Sequence, residues 1–212
     1  MKKREKRSSR KRTALRRCAV LAAVVLLVSA MNLYHFLPIQ AVWDMADMND
    51  IEHPEAVRRF YDGALPVTRF ALHYLVDGDY AMMLCMAGYH PLIGWYDRSY
   101  AKAETWDGTG LYAGVYEHYQ DGAGVAYLFG RIDDPRIQEL RLRITEGPYK
   151  ENPVTQTVEI PEGDIWEQDG KRYFLSALAS PSGTRTVYHL SGLDEEGRTV
   201  RTVEAVARSW ST

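Results

Sequence analysis

Eight aromatic side chains crowd into 31 residues: Tyr89, Trp95, Tyr96, Tyr100, Trp106, Tyr112, Tyr116 and Tyr119. Tyrosine and tryptophan present an apolar face with a polar handle, which suits a sugar ring, a peptide or a protein surface. Much of the group lies in residues 89–110, where Pro91, Gly94, Asp107 and Gly108 read as a long segment between strands. Long loops in compact domains tend to carry function, and this one is too aromatic for disorder. Tyr89, Trp95, Tyr96, Tyr100 and Trp106 are therefore the candidate ligand- or partner-binding residues. At least one of Trp95, Tyr96 and Trp106 is expected in solvent. The competing expectation is that several of these rings fill a core.

Other reactive residue types form no motif. The six histidines (His35, His53, His73, His90, His118, His189) lack any spacing that would hold zinc, alone or with cysteine. His73 and His118 fall in strands and could meet across a sheet. Cys85, among Met82, Met83, Leu84 and Met86, reads as a small buried hydrophobe rather than a nucleophile. Residues 108–114 miss the dinucleotide-binding spacing and read as a glycine-rich bend. Residues 180–183 sit in a turn with nothing to activate a serine. Acidic groups gather at Asp77/Asp79, Asp133/Asp134 and Asp194/Glu195/Glu196, where aspartate suits hairpin tips for local reasons. Paired carboxylates could also hydrolyse a glycoside, given the right separation. No catalytic residue, metal ligand or cofactor is assigned.

What must position these residues starts with charge. Residues 1–17 carry ten basic side chains against Glu5, a balance of +9, while the rest carries 16 basic and 27 acidic groups. An apolar segment from Cys18 follows at once, and a basic flank beside such a segment stays in the cytoplasm while the far side crosses. The expected organisation is a basic cytoplasmic tail (1–17), a transmembrane signal-anchor helix (18–37), a connector with a short helix (38–66) and an extracytoplasmic domain (67–212). Cleavage near Ala30, releasing a secreted domain, is the alternative, since residues 28–30 have the small-residue pattern of a signal-peptide site. Arg16 and Arg17 before Cys18 argue against lipid acylation there. An acidic remainder would repel a phosphate backbone, so no nucleic-acid partner is expected. With Cys18 and Cys85 in different compartments, the exported part has no internal disulfide and must be held by its core.

The local patterns point to a mainly β fold. Residues 54–61 are expected as a short helix, with Pro54 at its first turn and Val57 and Phe60 on one face. From residue 67 the periodicity turns to two. Alternating runs flank Asp77-Gly78, a strong hairpin signal. Further strands are expected at 111–119, 125–132, 137–144, 154–160, 172–178, 185–190 and 199–206. Turn residues at 169–170, 181–183 and 194–197 separate the later ones. About eight one-faced strands imply an antiparallel β-sandwich, immunoglobulin-like or related, without that fold's disulfide and tryptophan signature. The leading functional expectation is a non-enzymatic, membrane-anchored extracytoplasmic domain with an accessory or protein-partner-binding role at the cell envelope. The alternatives are a carbohydrate- or cell-wall-binding module using the aromatic segment, and a hydrolase with an Asp/Glu site.

Overall fold

The computed structural model describes residues 2–30, 34–61, 71–92, 94–105, 108, 110–120, 123–148, 152–180 and 186–210. Helix α1 (Lys2–Ala30) opens the chain, and every side chain described from 13 to 25 is exposed. Among the described residues, no helix is long and apolar enough to cross a membrane. The expected span 18–37 is not one helix. Residues 18–30 rise only about 20 Å at about 1.5 Å per residue. Beyond them, residues 34–37 join the β-domain: His35 bridges to Gly94 and Trp95, and the Trp95 N–H donates to the His35 carbonyl at 2.9 Å.

Helix α2 (Pro38–Met48) follows, with proline at its start and the Gln40 Oε1 accepting from the Leu37 N–H at 2.9 Å. It buries Ala41, Val42, Met45 and Ala46, one stripe at helical spacing. The expected helix at 54–61 is instead strand β1 (Glu55–Phe60). Its register against the next strand slips between Ala56 and Arg58, leaving Val57 as the extra residue of a bulge. The bulge places Val57 and Phe60, three apart, against the same cluster. A bulged strand thus reproduced a helical i, i+3 signature.

The remaining strands are β2 (Ala71–Asp77), β3 (Ala81–His90), β4 (Gly94–Glu104), β5 (Leu111–Gln120), β6 (Ala123–Ile132), β7 (Glu139–Glu146) and β8 (Val154–Glu159). A 3-10 turn (Glu162–Asp164) leads into β9 (Ile165–Gln168), followed by β10 (Lys171–Ser180), β11 (Thr186–Leu193) and β12 (Thr199–Trp210). They form a four-stranded sheet, β1-β2-β3-β4, and an eight-stranded sheet, β8-β7-β11-β12-β5-β6-β10-β9. Among the described strands, pairing is antiparallel except where the end of β12 (Ala207–Trp210) runs parallel to Val115–His118 of β5. That join lets the eight-stranded sheet turn back on itself.

The core lies in three slabs. In the first, Val42 and Met45 of α2 meet Tyr74, Val76, Met83 and Cys85 of the first sheet. In the second, Leu75, Met82 and Leu84, on that sheet's other face, meet Tyr116, Tyr127, Phe129 and Tyr173. In the third, Leu111, Val115, Leu128 and Phe174 pack on Leu140, Leu142, Tyr188 and Leu190. The fold is mainly β, but a two-layer sandwich understates it: the first sheet and the β5-β6-β10 layer are each covered on both faces. This explains why residues 81–87 of β3 are buried without alternation. It also accounts for three close cross-strand pairs of glycine with an aromatic ring. Gly88 lies under Tyr96, Gly114 under Phe129 and Gly130 under Phe174, each glycine leaving room for the ring beside it.

Candidate functional site

The aromatic segment expected as a loop is a hairpin. β3 runs to His90 and β4 starts at Gly94, so Trp95, Tyr96 and Tyr100 are strand residues; Trp106 lies outside the described residues. A register shift between Met86 and Ala87 leaves Arg98 as an extra residue in β4. Parity changes there. Trp95 packs toward α2 before the bulge and Tyr100 after it, while Ser99 turns inward to the Tyr116 hydroxyl at 2.5 Å. Tyr96 lies across the strand over Gly88. Trp95, Tyr96 and Tyr100 are half-buried and Tyr89 is exposed. The four candidates that are described therefore do not share one face.

Two of them do meet, in company the sequence reading assigned to the membrane. Tyr89 and Trp95 have ring centroids 5.4 Å apart, inclined at 56°. Tyr34 joins them: a hydrogen bond to Tyr89 raises the Tyr34 hydroxyl above its ordinary pKa, and that hydroxyl reaches the Pro91 carbonyl at 3.4 Å. Phe36 packs on Tyr34 at 4.6 Å. Leu92, at the hairpin tip, is 82 % exposed. Tyr34, Phe36, Tyr89, Leu92 and Trp95 make an aromatic and apolar cap on the end of the first sheet.

The acidic clusters resolve differently. Asp77 is the last residue of β2 rather than a turn tip, and it is 2 % exposed. Its carboxylate accepts from Arg131 Nη1 at 2.8 and 3.1 Å, from Lys171 Nζ at 2.8 Å and from the Tyr173 hydroxyl at 3.0 Å. Arg131 also grips Asp133, at 2.8 and 2.9 Å. Burial works to lower the Arg131 pKa, but the Asp133 and Asp77 carboxylates hold it above the ordinary value. Burial first, then Asp77, pushes the Tyr173 hydroxyl up. This network ties the first sheet to β6 and β10. A cleft of about 400 Å³ opens beside it, lined by Arg131, Asp133, Lys171 and Arg172. Its cations are already engaged, Arg131 and Lys171 by Asp77 and Arg172 by the Ile137 carbonyl at 2.7 Å. Asp134 is held at about pKa 2 by hydrogen bonds from Arg136, and Asp194 is bonded by Arg198.

His73 and His118 share Tyr116 as a neighbour, its ring 6.1 Å from His73 and 6.4 Å from His118. His73 is buried and stacks on Phe60 at 5.0 Å. Cys85 is buried, and loss of solvation pushes its thiol up to about 12. Among the described residues, no three His, Cys, Asp or Glu side chains come together as a metal site would require.

The sheet edges differ in how they meet solvent. β1 carries Arg58, Arg59 and a bulge, and β9 is only four residues long. β8, Val-Thr-Gln-Thr-Val-Glu, ends the eight-stranded sheet with all but Val158 exposed and no cation or proline in it. No protein-family model, curated protein or solved structure matches the chain.

Proposed function

We propose that this chain is a membrane-anchored extracytoplasmic domain that binds a protein partner at the cell envelope and carries no catalysis of its own. The observation that carries partner binding is the unguarded edge of β8. Edge strands expose unpaired backbone donors and acceptors, and proteins normally blunt them with lysine, proline, bulges or short length. β1 and β9 have such guards, whereas β8 presents β-branched Val154, Thr155 and Thr157 with no lysine, proline or bulge within the strand, between Pro153 before it and Glu159 at its end. Addition of a partner strand satisfies that edge. Anchoring is supported by the +9 balance of residues 1–17 ahead of the uncharged run that α1 carries from Cys18, whose side chains at 18–25 are exposed.

The competing readings find less support. Glycan platforms use flat, coplanar rings, and Tyr89 and Trp95 are inclined at 56°. A glycosidase needs two carboxylates facing a substrate, and Asp77 and Asp133 converge on Arg131 instead. The test is a photo-crosslinking residue in place of Gln156, with Arg59 on β1 as the control position, in intact cells. A discrete adduct of higher mass is expected at 156 and not at 59. Equal adduct formation at both positions, or none at either, refutes β8 as the docking edge. An export-dependent reporter fused after Thr212 tests topology separately, and activity is expected.

A further inference from the structure

We infer that the cap formed by Tyr34, Phe36, Tyr89, Leu92 and Trp95 docks into the lipid interface of the bilayer that holds α1. The inference rests on the anchored reading above and says how the domain sits on its membrane. The occupant follows from chain length. Tyr34 is four peptide steps from Ala30, the last residue of α1. At no more than about 3.6 Å per residue, Tyr34 stays within about 14 Å of the helix end and the rest of the cap is packed beside it.

Hydrophobic mismatch then draws it inward. The apolar part of α1, residues 18–30, spans about 20 Å, and a bilayer's hydrocarbon core is about 30 Å thick. A short span is accommodated by local thinning and by flanking groups reaching the interface. Arg16 and Arg17 flank it on one side. On the other side the next described groups are those of the cap.

The cap's chemistry suits that place. Tyrosine and tryptophan with an apolar neighbour are what membrane–water boundaries collect. Of the eight large hydrophobic residues exposed outside α1 among the described residues, three belong to the cap: Phe36, Tyr89 and Leu92. The cap is also preorganised. Trp95 N–H holds the His35 carbonyl, Tyr34 reaches Pro91, and His35 Nε2 lies 3.1 Å from Asp44 on α2. Little ordering entropy is lost when a surface so braced meets lipid.

The test uses the full chain carrying Cys18→Ala, with a spin label on Leu92→Cys or, as the wet control, on Glu195→Cys in the exposed 194–198 turn. Cys85 is buried and stays unlabelled. Each protein is reconstituted into phosphatidylethanolamine/phosphatidylglycerol vesicles and floated on a gradient. Collisions of the label with oxygen, which concentrates in lipid, are compared with those of a water-soluble nickel chelate. The expected result is an oxygen-to-nickel accessibility ratio several-fold higher at 92 than at 195. Equal ratios in protein that floats overturn the docking and leave the anchoring intact. A label at 92 shielded from both reagents shows a protein cover instead of lipid and overturns it as well. Protein that fails to float removes the anchored reading and this inference together.

Discussion

Replacing Asp77 by alanine removes one carboxylate from a site that three donors share. Arg131 Nη1, Lys171 Nζ and the Tyr173 hydroxyl all lie within 3.1 Å of its oxygens, in a position only 2 % exposed. The three losses are unequal. Lys171, 46 % exposed, swings to water at little cost. Tyr173 is buried and forfeits this acceptor, worth about 1–3 kcal/mol. Arg131 keeps Asp133 but loses its inner partner, and removing one side of a buried ion pair typically costs about 3–5 kcal/mol. Because these terms overlap, the expected loss for Asp77→Ala is about 3–5 kcal/mol in all. At about 2–4 °C per kcal/mol for a chain of this size, the melting temperature falls by about 6–20 °C. Urea titration of the full chain in detergent, followed by tryptophan fluorescence, measures it. Lys171→Met should cost less than about 1 kcal/mol. Adding Arg131→Met to Asp77→Ala should recover part of the loss, since the unpaired buried charge goes with it. A loss below about 1 kcal/mol for Asp77→Ala would mean that water reaches the network, and the account of it as a lock between sheets fails.

Three further outcomes are expected. His53 Nδ1 lies 2.8 Å from Asp79, which raises the imidazole pKa above 6.5. The pair's small contribution is therefore full below about pH 6.5 and is lost as pH rises through the folded-state value; NMR titration should show the raised midpoint, and Asp79→Asn should return it toward 6.5. Cys85, with its thiol pushed up to about 12, should resist maleimide in the folded protein and react only in denaturant, whereas labelling at native pH would contradict its burial. Gly130→Ala puts a methyl group against the Tyr112 carbonyl and the Phe174 ring, so it should destabilise by about 1–3 kcal/mol through overpacking, read by thermal melting; an unchanged melting temperature would count against the close pairing.

Local pattern sufficed wherever a strand or turn is decided by its neighbours in the chain. The strands at 111–120, 123–132, 154–159 and 171–180 follow their alternation and turn residues closely. Asp169-Gly170 is a two-residue hairpin turn with φ of 52° and 75°, as that dipeptide favours. The burial of Cys85 was legible in its apolar neighbours, whereas the meeting of Tyr89 with Trp95 follows from a β3–β4 pairing where the sequence suggested a loop. The same Asp-Gly signal at 77–78 marked a hairpin correctly but not the fate of Asp77, because only the approach of β6 and β10 supplies Arg131, Lys171 and Tyr173. Bulges at Val57 and Arg98 each shift side-chain parity by one, so a period read along one strand misassigns its faces. Tyr34 and Phe36 looked like the end of a membrane helix; their place in the cap depends on His35 pairing with β4, some sixty residues away. Alternation records whether a residue is buried, not which element buries it. The stacking of three slabs, the turning of the large sheet at β12 and the buried ion network are pairings between distant segments, and tertiary structure alone decided them.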